Sequence, residues 1–300
     1  MQQFDCRKSV IILASQIVAF GCLATTASAQ EHVRAHVPML SSPTIHEGAQ
    51  INTEARAIYM YNDIPKGFIT PNGQGSINSV SFQLRYAINE RWALIMTKGG
   101  YVSADFENSL PDADGPSNFA FGAKYAILAA PSIGRYLTVG GRYEAPVGDV
   151  SAGNVDLQGG GDGLFDTFVS WSSLVGDHTA LQSSAGFNMA FDGDHDSSFF
   201  HYSFHVDHEM VSRFYAVLEG NLVTTIIEGD RTDATLFGSF EGYDLFNFGN
   251  TSSGTVATLG AGVRLRLTDY LLFGAGLEFP VTSREDIVNI RFLSDAVLQF

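Results

Sequence analysis

The chain has 300 residues, with 32 Asp and Glu against 17 Lys and Arg, and its formal net charge is −15 at pH 7. This acidic excess argues against nucleic acid as a partner, because binding to phosphates needs basic patches. Beyond residue 29, no stretch reaches about 18 consecutive apolar residues, which excludes helical membrane spans there.

The chain begins with a pattern typical of a secretory signal peptide. A basic start is followed by an apolar run over residues 10–23 and by small residues up to Ala29. We predict that residues 1–29 are removed by cleavage near Ala29. A lipoprotein signal with Cys22 as the lipidated residue is the alternative, but the residues before that cysteine fit it poorly.

Both cysteines, Cys6 and Cys22, lie inside the predicted signal peptide. The mature chain is therefore expected to have no disulfide and no cysteine metal ligand. We divide the remainder into an N-terminal periplasmic segment, residues 30–50, and a β-domain, residues 51–300. The sequence leaves open whether residues 30–50 plug the lumen.

From residue 51 onward, apolar and polar residues alternate in segments close to the length of about 9–11 residues that a tilted membrane-spanning strand needs. Side chains of a strand point alternately to its two faces, so these segments have one apolar and one polar face. We predict about 12 such strands. Their ranges are 51–63, 76–88, 92–106, 118–128, 135–148, 162–175, 178–192, 198–210, 214–228, 255–268, 271–283 and 288–300.

The predicted connections alternate between short turns and longer loops. The short turns are residues 89–91, 128–134, 176–177, 211–213 and 269–270. The longer loops are residues 64–75, 107–117, 149–161 and 229–254, with residues 193–197 and 284–287 as shorter members of the same set. This rhythm is typical of bacterial outer-membrane barrels, whereas a soluble acidic β-sandwich has no reason to sort its loops in this way. The predicted fold is all-β: a transmembrane antiparallel up-and-down β-barrel.

The longer loops hold most of the excess negative charge. Their acids are Glu107, Asp112, Asp114, Asp149, Asp156, Asp194, Asp196, Asp230, Asp233, Glu241, Asp244, Glu285 and Asp286. These groups are predicted to lie outside the wall, where they meet divalent cations that bridge lipopolysaccharide. The simpler reading, favoured for any single residue, is a solvated loop acid.

Charges within the strands are predicted to face the lumen, because Arg or Lys on the lipid face costs roughly 2–4 kcal/mol at mid-bilayer. Positive and negative groups nearly balance among these lumen-lining candidates. They are Arg56, Arg85, Lys124, Arg142, Glu144, Asp166, His201, His205, Asp207, Glu219, Arg264, Arg266, Glu278, Arg291 and Asp295. Strand 92–106 breaks the pattern, since Lys98 shares a face with Trp92 and Leu94, and we predict a bulge or a different register there.

The polar face of strand 198–210 offers the strongest candidates for chemistry, namely His201, Ser203 and His205. They would suit a metal site or the nucleophile and base of a lipid hydrolase. However, residues i and i+4 of a strand lie roughly 13 Å apart, and a lipase site would need to face lipid. A luminal polar network is therefore the preferred reading, and no catalytic residue, metal or cofactor is predicted.

Two loop segments are weak candidates for ligand binding. Residues 159–163 are rich in glycine, but no lysine and no helix follow as a phosphate-binding loop requires. Residues 192–196 are acidic, but they lack the ligand spacing of a dedicated calcium site.

Several short phrases together are similar to a known group of proteins. They are Gly122-Ala-Lys-Tyr-Ala-Ile-Leu128, Ala145-Pro-Val-Gly-Asp149, Gly161-Asp-Gly163, the strand with Trp171, and Gly274–Thr282 followed by the strand ending at Phe300. Over roughly residues 50–300 the chain resembles outer-membrane proteins described as meta-pathway phenol degradation proteins. The resemblance implies a barrel that is found beside genes for aromatic catabolism and moves hydrophobic compounds inward. No catalytic residues carry over.

The last predicted strand, residues 288–300, alternates regularly and ends on Phe300. We expect it to pair with strand 51–63, to place Arg291 and Asp295 in the lumen, and to be recognised by the barrel-assembly machinery. Phe292, Leu298 and Phe300 are expected to contact lipid.

The sequence therefore predicts a passive channel or transporter for small hydrophobic or aromatic solutes in the outer membrane of a Gram-negative bacterium. About 12 strands lie between the side-chain-filled barrels of about 8 and the water-filled barrels of about 16. The expected partners are outer-membrane lipid, lipopolysaccharide and the solute. The alternatives are an outer-membrane lipid hydrolase and a structural or adhesive barrel without transport.

Overall fold

A computed structural model describes residues 36–300 of this chain except 233–239 and 251–253. The predicted signal peptide with its cleavage at Ala29, the first residues of the predicted N-terminal segment, and Asp233 lie outside the described residues.

The described residues form a closed antiparallel barrel of 12 wall strands, with β3 and β4 together forming one of them. The strands are β1 (Glu54–Ile64), β2 (Gly75–Ala87), β3 (Trp92–Lys98), β4 (Gly100–Asp105), β5 (Ala113–Pro116), β6 (Phe119–Ala130), β7 (Arg135–Ala145), β8 (Val150–Ala152), β9 (Val155–Gln158), β10 (Leu164–Val175), β11 (Thr179–Ala190), β12 (Ser198–Val211), β13 (Phe214–Ile227), β14 (Thr255–Arg266), β15 (Leu271–Pro280) and β16 (Ile290–Gln299). Each predicted strand overlaps a wall strand, so the predicted fold class is confirmed.

The barrel closes between its first and last strands. β1 pairs with β2 on one side and with β16 on the other, in a register that runs from Glu54 opposite Gln299 to Asp63 opposite Ile290. Closure leaves the wall without a free sheet edge, which is the condition for a sheet to cross lipid. The predicted pairing of the last strand with the first is confirmed.

The irregularity predicted in strand 92–106 is a bulge. The pairing of β3 with β6 shifts between Met96 and Lys98, and β4 begins at Gly100. A Cβ at Gly100 would collide with the carbonyl oxygen of Val80, so glycine permits the close approach of the two strands here. The extra residue reverses the side-chain parity, which explains why one alternating pattern could not describe the whole strand.

Two of the longer loops contain additional strands. β5 pairs with β4 and extends the sheet beyond the wall, while β8 and β9 form a separate hairpin. These strands differ from the prediction of irregular loops, because segments of three or four residues carry too short an alternation to be recognised in sequence.

The interior has a polar zone near the short turns and an apolar zone near the longer loops, which we call the turn end and the loop end. Along β1 the buried side chains change from Glu54 and Arg56 to Met60 and Ile64. The apolar zone includes buried side chains from loops as well as from the wall. Its loop members include Phe68, Phe106, Val150, Leu157, Tyr243, Leu245, Phe246 and Phe248.

Residues 36–50, which we call the internal segment, lie inside the barrel, a possibility that the sequence left open. His36 contacts the turn end through the Gly134 carbonyl at 2.6 Å. The chain turns at Ser42, whose carbonyl accepts the backbone N–H of Ile45 and of His46 at 3.1 Å. It leads directly into β1, so both ends of the segment are near the turn end.

Polar side chains of the wall satisfy the backbone of the internal segment. Gln83 donates to the Pro43 carbonyl at 2.7 Å, and Ser170 donates to the Glu47 carbonyl at 2.6 Å. Further carbonyls accept from wall side chains at the positions Val37, Met39, Ile45, Gly48 and Ala49. Buried carbonyls need such partners, and an irregular segment can therefore occupy a lumen only when the wall supplies donors.

Among the described residues, no helix is long and apolar enough to cross a membrane.

Candidate functional site

The residues predicted to line the lumen are turned to the inside of the barrel, and most are almost fully buried. The buried ones are Arg56, Arg85, Lys124, Arg142, Asp166, His201, His205, Asp207, Glu219, Arg264, Glu278, Arg291 and Asp295. Glu144 is half-buried, and Arg266 lies near the turn end, where it donates to the carbonyl of Asp269 at 3.1 Å. The buried residues form ion-pair clusters, several of which include the internal segment.

The first cluster surrounds Glu47 of the internal segment. Arg85 binds both carboxylate oxygens, at 2.9 and 2.8 Å, and Lys124 binds one of them at 2.7 Å. Arg85 also contacts Glu54 at 3.1 Å. Glu47 is 0% exposed, so this carboxylate joins the internal segment to two wall strands through a desolvated pair with bidentate geometry.

A second cluster surrounds Asp295 of β16. Arg56 contacts its carboxylate at 2.6 Å, and Arg264 contacts both of its oxygens at 2.9 and 2.8 Å. Both guanidinium groups also donate to the Met39 carbonyl, at 2.7 and 3.3 Å. One carboxylate therefore pairs with two wall cations that also bind the internal segment.

The side-chain carboxylate of Glu219 in β13 binds the backbone of the internal segment. Its oxygens accept the N–H groups of Leu40 and Ser41 at 2.7 and 2.6 Å, and a third contact joins it to His205 Nδ1 at 2.8 Å. His205 Nε2 lies 3.2 Å from the Asp207 carboxylate. The polar groups of this cluster bind one another and hold the internal segment against the wall.

The next cluster joins the wall to residues 240–250, which we call the internal loop. Arg291 contacts Asp244 at 2.6 and 3.0 Å and Glu278 at 3.2 Å, and its guanidinium lies 5.2 Å from the centre of the Tyr243 ring. Thr44 donates to the Asp244 carbonyl at 3.0 Å. The internal loop and the internal segment thus meet inside the barrel.

Several loop acids that were read as solvated groups are buried. They are Asp196, Glu241, Asp244 and Asp286. The Asp286 carboxylate accepts the backbone N–H groups of Glu241 and Gly242, at 3.1 and 2.8 Å. Burial, with a smaller contribution from the nearby Asp286 carboxylate, raises the pKa of Glu241 to about 8. These acids therefore hold the loops in place, and the prediction that they face solvent is wrong for them.

A cavity of about 60 Å³, partly open to solvent, lies between the internal loop and the wall from β3 to β13. Its half-exposed rim includes Gly160, His195 and Arg231. Its buried floor includes Arg142, Asp166 and His201, and it reaches Thr44 and Ile45 of the internal segment.

Four consecutive wall strands, β7, β10, β11 and β12, hold the polar floor of this cavity. Arg142 of β7 stands opposite Asp166 of β10 in the strand register and contacts it at 2.8 and 2.6 Å. Arg142 also donates to the Ile45 carbonyl at 2.6 Å, and His201 Nε2 lies 2.8 Å from Asp166. Arg142 Nη1 and His201 Nδ1 have no hydrogen-bond partner among the described residues, and Asn188 Oδ1 shares this property.

A second polar group forms the side of the cavity near the bulge. Lys98 contacts Glu144 at 2.6 Å, and Asn118 donates to the same Glu144 oxygen at 2.9 Å. Without the bulge, regular alternation would place Lys98 on the lipid face of its strand. Sequence reasoning also missed Asn118 and Asn188, since uncharged polar residues facing inward carry no distinctive signal.

The contacts expected of a hydrolase are not found within the described part of the chain. Ser203 Oγ is buried without a hydrogen-bond partner there, while His201 contacts Asp166 and His205 contacts Glu219 and Asp207. A serine nucleophile needs a base within hydrogen-bond reach. The described residues also include no group of three or more His, Cys, Asp or Glu suited to a metal ion.

The internal loop was the largest feature that sequence reasoning missed, whereas the entry of residues 30–50 into the lumen was left open. Asp244 was assigned to solvent, and the role of Glu47 was not predicted. A signal does exist for the internal loop, because Phe240, Tyr243, Leu245, Phe246 and Phe248 are unusually apolar for an exposed loop.

No protein-family model and no curated protein matches the chain. The resemblance to meta-pathway phenol degradation proteins therefore stays a prediction.

Solved structures show a likeness in fold. The chain is similar to an outer membrane channel from Pseudomonas putida F1, with a TM-score of 0.62 and 13% identity over 88% of this chain and 100% of that one. It is also similar to the β domain of the Bordetella autotransporter BrkA, with a TM-score of 0.49, 13% identity, and coverage of 84% and 100%. A third similar structure is CymD, a monoaromatic hydrocarbon channel, with a TM-score of 0.42, 9% identity, and coverage of 87% and 91%. At such identities the likeness concerns the barrel fold alone.

Proposed function

We propose that this protein is an outer-membrane channel for passive uptake of small apolar or aromatic molecules. The observation that carries the proposal is the cavity, which runs from a half-exposed rim at the loop end to the tip of the internal segment. Its upper part adjoins the apolar zone of the interior. Such a lining suits molecules that prefer apolar surroundings over water.

Transit requires the internal segment to move or to leave a gap beside it. Within the described residues it is connected covalently to the barrel through β1, and its other attachments to the wall are hydrogen bonds, ion pairs and apolar packing that includes Val37. The hydrogen bonds and ion pairs can be exchanged for water as the lumen opens, so these contacts suit a reversible rearrangement. The wall keeps its own hydrogen-bonded ladders throughout.

The test is uptake by a deletion strain. Loss of the gene should lower the initial uptake of radiolabelled aromatic compounds and leave the uptake of small sugars less affected, and the intact gene should restore it. Unchanged uptake of every compound tried would refute the proposal.

The location in the outer membrane is part of the same proposal, with residues 1–29 as a cleaved signal peptide. We expect the mature protein to begin near Gln30 and to fractionate with outer-membrane lipid and lipopolysaccharide. N-terminal sequencing of the protein from isolated outer membranes tests this. An uncleaved N-terminus, or recovery in the soluble fraction, would contradict it. Recognition of the last strand by the barrel-assembly machinery is a further expectation.

A structural barrel without transport is the second candidate, and the occupied lumen favours it. Glu47, Asp295 and Glu219 bind the internal segment to the wall directly or through shared cations. Planar-bilayer recordings separate the two functions, because a structural barrel should show no conductance steps under any condition that leaves it folded.

A further inference from the structure

We infer that the cavity is a binding site for a small neutral molecule that carries a hydroxyl group on an apolar body, with Arg142, His201 and Asn188 as the groups that bind the hydroxyl. The inference rests on the proposed function, because it names the class of solute that the channel would select.

The first step is the fixed position of Arg142. Its Nε and Nη2 atoms contact Asp166 at 2.8 and 2.6 Å, Nη2 donates to the Ile45 carbonyl at 2.6 Å, and the Phe168 ring lies 5.6 Å from the guanidinium carbon. Arg142 is only 5% exposed. The remaining nitrogen, Nη1, is therefore a donor held in place on the cavity floor without a partner in the described structure.

The second step is the presence of acceptors in the lining of the same cavity. His201 is 2% exposed, and its Nε2 lies 2.8 Å from the Asp166 carboxylate, which accepts the Nε2 proton. In its neutral form with the proton on Nε2, the ring presents Nδ1 as an acceptor, and this atom has no partner within the described residues. Asn188 Oδ1 is a second unpartnered acceptor on the neighbouring strand β11.

A hydroxyl group matches this combination. Its oxygen can accept from Arg142 Nη1 while its proton is donated to His201 Nδ1 or Asn188 Oδ1, because a hydroxyl is both donor and acceptor. A hydrocarbon would leave all three groups unsatisfied, which is unfavourable in a buried site.

Apolar side chains line another part of the cavity and suit an apolar body on the ligand. Side chains from the wall, the β8–β9 hairpin and the internal loop provide this lining: Leu157, Leu164, Phe199, Val223, Leu245 and Phe246.

The acidic side chains around the cavity disfavour an anionic ligand. The carboxylates that line the cavity are already paired: Glu144 with Lys98, Asp166 with Arg142, and Asp244 with Arg291. Asp196 has Arg231 at 3.9 Å. A ligand carboxylate would face these four acids with every nearby cation engaged, so a neutral hydroxyl compound is favoured.

The test is binding of matched probes to the purified full chain in detergent. Phenol and toluene have similar size and differ by a hydroxyl against a methyl group, while benzoate adds a charge. By equilibrium dialysis with radiolabelled probes, phenol should bind at least about tenfold more tightly than toluene, which corresponds to one buried hydrogen-bonding group. Benzoate should bind more weakly than phenol.

Three variants locate the site. Arg142→Lys keeps a cation beside Asp166 and removes Nη1, and Asn188→Leu removes the acceptor Oδ1 at similar size. Each should weaken phenol binding and leave toluene binding unchanged. Ala120→Leu, which fills part of the cavity, should weaken both.

Ser203→Ala is the matched control, because Ser203 is also buried, inward-facing and without a partner in the described structure, but does not line the cavity. This substitution should change neither phenol binding nor toluene binding. Equal binding of phenol and toluene, phenol binding indifferent to Arg142→Lys and Asn188→Leu, or no binding of any probe would overturn the inference.

Flux measurements keep this result separate from the proposed function. Liposomes containing the protein are loaded with buffer and mixed with the same probes. Hydroxyl-selective binding without any flux would support the binding site and refute the channel. Flux without selective binding would support the channel and refute the binding site.

Discussion

At the scale of single residues, the contribution of a charged side chain to stability depends on its burial. Arg85 and Lys124 both depend on the carboxylate of Glu47, and this cluster is almost completely removed from solvent. Arg213 and Asp269 make an equally short contact of 2.8 Å, but their side chains are 47% and 61% exposed. Removal of one partner from a buried pair leaves an uncompensated charge, whereas water replaces the partner at a surface.

We therefore expect Glu47→Gln to weaken the attachment of the internal segment by about 3–5 kcal/mol. Faster proteolytic cleavage within residues 36–50 of the detergent-solubilised protein would report the release. The control Asp269→Asn removes one partner of the exposed pair and should change stability by no more than about 1 kcal/mol. Equal cleavage rates in the two variants would contradict the anchoring role of Glu47.

The bulge gives a second prediction at this scale. A side chain at Gly100 collides with the Val80 carbonyl, so Gly100→Ala should disturb the pairing of β2 with β4. Gly193 has open space around its Cα and is the matched control. We expect a lower melting temperature for Gly100→Ala, with a loss of more than about 1 kcal/mol, and no change for Gly193→Ala. Circular dichroism during heating measures both, and an unchanged melting temperature for Gly100→Ala would refute the expectation.

At the scale of elements, the internal loop behaves as part of the core. Tyr243, Leu245, Phe246 and Phe248 are buried in the apolar zone, and Asp244 pairs with Arg291. Polar contacts at its base complete the docking, since Gln158 donates to the Leu245 carbonyl at 2.7 Å and Asn247 to the Ser197 carbonyl at 2.8 Å. Loops that bury apolar side chains and pair their charges are expected to be ordered.

The docking of this loop should depend on pH through Glu241. Burial raises its pKa from 4.5 to about 8, and burial raises the pKa of Asp286 as well. A raised pKa in the docked state means that docking favours the protonated form. The resulting stability is fully present below about pH 4.5 and is lost as the pH rises through about 8.

Proteolysis of the internal loop should accordingly become faster between about pH 5 and pH 8 after correction for the protease's own pH dependence. Glu241→Gln remains uncharged and should reduce this increase, while Glu107→Gln, an exposed loop residue, should not. A pH dependence that is the same in all three proteins would contradict the assignment.

At the scale of the whole molecule, the wall and its contents are separable. The barrel closes through backbone pairing of β1 with β16, to which the internal segment does not contribute. The luminal charges would be rehydrated if the segment left, which lowers the cost of separating them. The structure is therefore compatible with a wall that stays closed while the lumen opens.

Deletion of residues 36–50 should leave a folded barrel with a larger conductance in planar bilayers than the full chain. The change in mobility between heated and unheated samples on a gel reports the closed barrel. If the deletion variant is folded and its conductance equals that of the full chain, the internal segment does not restrict the lumen.

Sequence alternation located the wall strands and the inward charges because a strand has a period of two, and lipid penalises a charge on the outer face. Arg291 and Asp295, for example, were assigned to the lumen from parity alone. The partners of these charges were not accessible in this way. Arg291 pairs with Asp244 across 47 residues of sequence, and Arg85 pairs with Glu47 across 38.

By itself, the sequence determined a closed membrane barrel, its strands and the faces of those strands, since these follow from local alternation and the need to pair every backbone group in lipid. Only the tertiary structure decided that the internal segment and the internal loop enter the barrel. Irregular chain has no period, and its location depends on carbonyls, carboxylates and apolar side chains finding partners that are distant in sequence. The cavity exists for the same reason, because it is the space those two segments leave beside the wall.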